Sequence, residues 1–261
     1  MNIVVCVKQV PDTNEVKIDK EKGTLIREGV PSILNPDDAN ALEGALTLKD
    51  KNPEVKVTVI TMGPPQAEVM LRECLAMGAD DAILLSDRFF GGADTWATSN
   101  TIAAGIKKMG NFDIIFAGTQ AIDGDTAQVG PQIAEKLNIP QVTYVENFKI
   151  NNDFLNVQRQ LEDGYELIEV KTPVLLTAVK ELNKPRYMSV DKIFEAYKKD
   201  IKIWKLEDLD LSLDEVGLKA SPTKVFKSFT PAPKGQGIIL EGNSREKVVQ
   251  LVMDLKKRNI I

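Results

Sequence analysis

Short apolar runs alternate with amphipathic stretches through the first two thirds of the sequence, and this alternation constrains the fold more than any other feature. Asn2 to Val7, Val55 to Met62, Ala82 to Leu85 and Asp113 to Ala117 are nearly continuous apolar runs, the pattern of strands buried on both faces of a parallel sheet. Helix patterns fall between them. Asn35-Pro36-Asp37-Asp38 supplies an N-cap, a proline at the first helical position and two acids in the first turn of a helix reaching about Lys51. Gln66 to Met77 reads as a second helix closed by Gly78, and Asp94 or Thr95 caps a third that runs to about Met109. This order implies an α/β fold: a doubly wound, mainly parallel Rossmann-like sheet with right-handed crossovers. After a fifth strand, Gln141 to Val145, the pattern changes to hairpins. Phe148 to Ile150, Leu155 to Leu161 and Tyr165 to Lys171 are separated by the turn sequences Asn151-Asn152-Asp153 and Glu162-Asp163-Gly164, which predicts an antiparallel edge. Pro173 to Val179 adds one more apolar strand, and Val16 to Ile26 reads as a small hairpin before the first helix.

In such a sheet the loops that follow the strands gather at one edge, where ligands bind near the reversal of strand order. Four loops meet this description, those after Val7, Met62, Leu85 and Ala117. The last is Gly118-Thr119-Gln120-Ala121-Ile122-Asp123-Gly124-Asp125-Thr126-Ala127-Gln128-Val129, which enters a helix expected over Thr126 to Leu137. Taken alone, such a loop is more often a simple capped turn. The convergence of four loops instead favours a nucleotide site, with helix N-terminal N–H groups facing a phosphate. The stretch from Ser86 to Thr95 is long against the roughly two to six residues usual for a strand-to-helix connection, the mark of a functional or mobile loop. Neither Gly-x-Gly-x-x-Gly nor the lysine-containing phosphate loop follows the first strand, which argues against an ordinary dehydrogenase or NTPase.

The 261 residues contain no histidine, so Ser-His-Asp and Cys-His catalysis and histidine metal ligation are excluded together. Chemistry must come from a bound cofactor, or the chain only binds; no catalytic side chains are expected. A net charge of −5 argues against nucleic acid as partner. Cys6 and Cys74 are too few for a disulfide framework or a zinc site, and the Asp clusters are spaced as caps and turns, so no metal is expected. No membrane span or charged leader precedes the first apolar run, which makes a cytoplasmic location the expectation.

Beyond Leu182 dense apolar patterning is lost. Asn183-Lys184-Pro185-Arg186-Tyr187-Met188-Ser189-Val190 is a loop in which Ser189 caps a helix to about Lys199. Asn243 and Glu246 form a capping box before a helix over Ser244 to Arg258. The expected division is 1–182 as the nucleotide-binding domain, 183–202 as a loop and helix for a partner, and 203–261 as an arm. The arm reads nearly equally as a clasp on a partner subunit and as a loosely packed extension.

Val157-Gln158-Arg159-Gln160-Leu161-Glu162-Asp163-Gly164-Tyr165-Glu166-Leu167-Ile168, followed by Pro173-Val174-Leu175-Leu176-Thr177, resembles the signature of the electron-transfer flavoprotein beta subunit. Val5-Cys6-Val7-Lys8-Gln9-Val10, Asn35-Pro36-Asp37, Met77-Gly78-Ala79-Asp80, Gln120-Ala121-Ile122-Asp123 and Asn183-Lys184-Pro185-Arg186-Tyr187 are similar to that family too. The resemblance implies a heterodimer with an alpha subunit that carries FAD and is clasped by the 203–261 arm. It also implies an adenine nucleotide on this chain, at Cys6, Asn35, Pro36, Asp37, Asp38, Met62, Gly63 and Gly118 to Val129. That nucleotide is structural AMP in housekeeping members and a second FAD in electron-bifurcating ones.

Asp123-Gly124-Asp125-Thr126-Ala127-Gln128-Val129-Gly130 is similar to the bifurcating group, whereas AMP-binding members typically have an acidic cluster followed by Cys-Asn-Gln-Thr. Gly124 in place of an acid lets backbone approach a larger ligand and removes a negative charge near a pyrophosphate. Phe90, Gly91, Gly92, Ala93, Asp94 and Thr95 are the expected NADH-binding residues. The implied activity takes hydride from NADH, sends one electron to ferredoxin or flavodoxin, and sends the other through the alpha-subunit FAD to an acyl-CoA-type dehydrogenase. Tyr187 and Val190 resemble the family's recognition loop for that dehydrogenase; alternatively Val190, Ile193 and Phe194 cover their own sheet. An AMP-binding housekeeping subunit and a nucleotide-binding module without a redox role are the alternatives.

Overall fold

The computed structural model describes residues 1–12, 31–226, 235 and 237–261. Its strands are β1 (Asn2–Cys6), β2 (Gln9–Pro11), β3 (Ser32–Leu34), β4 (Lys56–Met62), β5 (Asp81–Leu85), β6 (Ile114–Gly118), β7 (Gln141–Asn151), β8 (Phe154–Gln160), β9 (Tyr165–Lys171), β10 (Val174–Ala178) and β11 (Lys202–Trp204). Its helices are α1 (Pro36–Lys51), α2 (Glu68–Met77), α3 (Thr95–Met109), α4 (Val129–Leu137), α5 (Val190–Lys198), α6 (Gly217–Ala220) and α7 (Ser244–Lys257). The hairpin expected over Val16 to Ile26 lies outside the described residues.

Nine strands form one sheet in the order β11-β5-β4-β1-β6-β10-β7-β8-β9. The strands from β11 through β7 pair in parallel, and β8 and β9 extend the β7 side antiparallel. The doubly wound α/β sheet with an antiparallel edge is therefore present. The two-residue period of a strand divides the core cleanly. Ile3 and Val5 of β1 face the layer made by α1 and α2, whereas Val4 and Cys6 face that of α3 and α4. Phe116 stacks at a tilt on Phe148, with ring centroids 5.4 Å apart, tying the parallel sheet to its antiparallel edge.

Pro173 to Val179, expected as one more strand, is β10, and it inserts between β6 and β7. Its Thr177 hydroxyl accepts the N–H of Tyr144, which sits in the left-handed region at a break in the β7 register. Such a bulge bends a strand and re-aims its side chains.

The chain divides into two compact units, Met1–Phe226 and Lys227–Ile261. Residues 203–226, expected as the start of the arm, belong to the first unit: β11 adds to the sheet beside β5, and Ser86 N–H donates to Trp204 O at 2.9 Å. In the second unit the capping box forms as expected, Asn243 Oδ1 accepting Glu246 N–H and Glu246 Oε2 accepting Asn243 N–H. No described helix is long and apolar enough to cross a membrane.

Candidate functional site

From β1 the chain steps outward through β4 and β5, then returns to β6 on the other side of β1. Loops leaving β1 and β6 therefore run in opposite directions and leave a crevice between them. A cleft of about 1750 Å³ opens there, lined by all four converging loops. A site for one drug-sized molecule is roughly 300–1,000 Å³, so this cleft has room for more.

Three side chains fix its floor. Asp38, buried in the first turn of α1, accepts the N–H of Lys8 with Oδ2 at 2.8 Å and that of Gly118 with Oδ1 at 2.9 Å. A Cβ at Gly118 would collide with that carboxylate and with the Asp37 backbone, so only glycine allows this approach. Burial pushes the Asp38 carboxyl up to about 7, against the opposite pull of the N–H groups it accepts. Asn35 was expected to cap α1 with its side chain. It occupies the N-cap position but makes no side-chain cap; instead it donates to Gln120 O at 2.8 Å and accepts Ile122 N–H at 3.1 Å. Lys8 Nζ meets Asp123 Oδ1 at 2.6 Å, closing the loop over the crevice.

Within that loop the N–H groups of Gly124 and Asp125 both reach Ala121 O, so the turn forms over the residues the sequence indicates. The following helix does not begin at Thr126, as expected, but at Val129. Asp125 and Ala127 lie in the left-handed region, φ 50° and 52°, and this backbone breaks the helix pattern. A left-handed residue followed by a right-handed one, here Gln128, turns successive N–H groups toward one concavity. The N–H groups from Thr126 to Gly130 have no acceptor among the described residues. Strain and unpaired donors of this kind gather where a ligand completes the structure.

The loop after β5 forms the opposite wall. Asp94 Oδ1 caps α3 by accepting Ala97 N–H, and Oδ2 accepts the N–H and hydroxyl of Thr223. Burial raises the Asp94 carboxyl, but these donors together hold it below the usual carboxylate range. Thr95 Oγ1 lies 3.0 Å from Gln128 Oε1 and accepts from Gln132 Nε2 at 3.3 Å, so the two glycine-bearing loops meet at the N-termini of α3 and α4.

Of the expected cofactor residues, Cys6, Asp38, Met62, Gly63, Gly118 to Ala121 and Asp123 to Val129 line the cleft, as do Phe90 to Thr95. Asn35, Pro36, Asp37 and Ile122 do not line it; Asn35 acts through the loop it holds. Cys6 is buried with its thiol pushed far up by burial, so it is a packing group rather than a nucleophile. The sequence reading missed Lys8 and the whole stretch from Lys205 to Val225. Leu206, Leu209, Leu211, Leu213, Thr223 and Val225 line the cleft's outer side. Gly217, at φ 60°, packs so closely on the Phe89 carbonyl that no side chain fits, and Leu218 N–H bonds Gly91 O at 3.1 Å. The signal for Lys8 was its place directly after the first strand; the stretch 205–225 had no periodicity to read.

A model of the electron transfer flavoprotein domain matches residues 22–209. The chain belongs to the electron transfer flavoprotein family. It is 64% identical over 261 residues, all of both chains, to the electron transfer flavoprotein subunit beta of Clostridium acetobutylicum. It is also 64% identical, again over the whole of both chains, to the caffeyl-CoA reductase-Etf complex subunit CarD of Acetobacterium woodii. Identity to the acryloyl-CoA reductase electron transfer subunit gamma of Anaerotignum propionicum is 54% over the full length of each. In this flavoprotein beta subunit the signature residues 157–177 form β8, β9 and β10.

The Asn183 to Val190 loop of the flavoprotein is tied to α1. Arg186 reaches Glu43 with Nε at 2.8 Å and Nη2 at 2.9 Å, and Asp50 with Nη2 at 2.6 Å. Asn40 and Asn183 exchange hydrogen bonds, each amide donating to the other's carbonyl at 2.9 Å. Held this way, Tyr187 is 95% exposed and Val190 69%, with Phe194 and Tyr197 beside them on the outer face of α5. Ile193 and Ala196 turn inward to the core. The covering role considered for Val190, Ile193 and Phe194 thus holds for Ile193 alone.

Proposed function

We propose that this chain is the beta subunit of an electron-bifurcating electron transfer flavoprotein, holding FAD in the cleft and receiving NADH against it. The observation that carries the reading is the meeting of two glycine-bearing loops, joined through Thr95 and Gln128, in one cleft of about 1750 Å³. A single AMP needs one such loop; a flavin that accepts hydride from a second nucleotide needs two.

The residues fit these groups. The N–H groups of Thr126 to Gly130 and the dipole of α4 suit the FAD pyrophosphate. A Cβ at Gly124 would enter open space, so a larger ligand can approach the backbone there. The Gly91-Gly92-Ala93 stretch before α3 is the segment we assign to NADH; the N-terminus of α3 itself is capped by the Asp94 carboxylate. Bound FAD supplies the hydride-accepting, electron-dividing chemistry, which this histidine-free chain lacks. The chain's own part is to orient and to exclude water: Asp38 and Asn35 fix the floor, Lys8 and Asp123 close one side, and the 205–225 stretch walls the other.

The names of the relatives support the partners. One relative is a subunit of a caffeyl-CoA reductase-Etf complex and another an electron transfer subunit of acryloyl-CoA reductase, so we place this chain with an alpha subunit and an acyl-CoA-type dehydrogenase. The exposed Tyr187 and Val190 serve the dehydrogenase, the 227–261 unit clasps the alpha subunit, and ferredoxin or flavodoxin takes the remaining electron. Co-purification with the alpha subunit followed by a flavin count tests the reading. Two FAD per heterodimer are expected, and one FAD plus one AMP would overturn it.

A further inference from the structure

We propose that the outer surface of α3 and α4, from Trp96 through Lys136 and Lys107 to Lys108 and Trp204, docks a small acidic one-electron carrier protein. The identity of the cargo rests on the reading of the cleft given above; the surface itself rests on different residues.

Both tryptophans of the chain lie on this surface, and each has a lysine over its ring. Lys136 Nζ is 4.1 Å from the Trp96 ring centroid, and Lys108 Nζ is 5.3 Å from that of Trp204. A cation stacked on an indole is held in place and kept available on its outer side. Lys107 adjoins Lys108 in the last turn of α3. Trp96 and Lys107 are eleven residues apart on one helix, about 16 Å at 1.5 Å per residue.

Among the described residues, none of Lys107, Lys108 and Lys136 forms an ion pair. Lys108 Nζ donates to the Asp208 carbonyl at 2.6 Å, while the Asp208 carboxylate is engaged on the Lys205 N–H. On a chain of net charge −5, three cations outside any described ion pair stand beside two aromatic rings on this surface, with the exposed Glu135 next to Lys136. Aromatic residues and cations that steer encounter are features of short-lived protein contacts, and redox encounters are among the smallest, below about 1,200 Å². A nucleic acid would require a longer run of cations than three.

Position selects the cargo. Trp96 follows Thr95, which lines the cleft and meets Gln128, so a protein seated on Trp96 stands beside whatever the cleft holds. In each encounter the carrier gains one electron and the group in the cleft loses one; no bond is made and no proton need cross the surface.

The test uses the intact alpha–beta heterodimer and an oxidised, acidic [4Fe–4S] ferredoxin as probe, with binding isotherms at low and high ionic strength. Lys107→Glu and Lys136→Glu are expected to weaken binding about tenfold at low salt and to flatten its salt dependence. Lys136→Gln should fall between, and Lys198→Glu on α5 should match the wild type. Affinities and salt slopes within twofold of wild type in both reversal variants would overturn the proposal, as would failure of the wild type to bind the probe. The isotherm needs no turnover, so a flavin count of one on the same samples would remove the reading of the cleft while leaving docking separately decided.

Discussion

The Asp38 carboxylate occupies the space that a side chain at Gly118 would fill, and it accepts the Gly118 N–H at 2.9 Å in return. The first turn of α1 and the end of β6 are thus locked at the point where the cleft begins.

That lock has a pH signature. Asp38 titrates near 7 in the folded chain, against about 3.9 when unfolded. Between these values the folded state keeps a proton that the unfolded state has released, so this group lowers stability as pH rises from about 4 to 7. Its slope approaches roughly 1.4 kcal/mol per pH unit and vanishes above that window. Asp38→Asn should remove this component. Denaturant unfolding of both proteins from pH 5 to 8 checks it, and parallel curves would show that Asp38 is ionised throughout.

Gly124 makes no demand on the fold: its φ is ordinary and a Cβ there touches nothing. Gly124→Asp should therefore melt within about 2 °C of the wild type, as isolated surface changes do, while FAD content falls and AMP content rises. Full FAD occupancy in that variant would move the discrimination between the two nucleotides to another residue.

Arg186 is the fork that holds the outward loop, with the Glu43 side chain buried beneath it. Arg186→Leu strands that carboxylate, and because Arg186 itself is a quarter exposed the cost should be about 2–3 kcal/mol, below that of a fully buried pair. A double-mutant cycle with Glu43→Gln should recover part of the loss. Additive effects would mean the pair contributes no coupling.

Val190→Asp should leave melting and flavin content unchanged, since the side chain is 69% exposed, and should raise the KM for the dehydrogenase about tenfold. Release of flavin from this variant would instead assign Val190 a packing role.

The sequence carried the parallel sheet, the antiparallel edge, the Asp94 cap, the Gly78 helix end and the Asn243–Glu246 box, because each is written in local pattern or local chemistry. It also carried the convergence of the four loops, which follows from topology alone. Where it fell short, distant contacts overrode local preference. Asn35 has the chemistry of a cap but is drawn to Gln120 and Ile122, eighty-five and eighty-seven positions away. Ala127 is a strong helix former held left-handed, so the helix starts later than its composition implies. The 205–225 wall has no period because single short turns of its own, after Lys205, Ser212 and Val216, alternate with backbone bonds to Asp87, Gly91 and Asp94.

The sixteen residues of α1 hold the cleft floor at one end, through Asp38, and the outward loop along the rest, through Asn40, Glu43 and Asp50. The helix therefore works as a ruler between the floor of the cleft and the outward loop that carries Tyr187 and Val190. One inserted residue between Asp38 and Glu43 would rotate the two sets of anchors by about 100° relative to each other. This interval cannot drift by a single residue without turning the floor of the cleft against the outward loop.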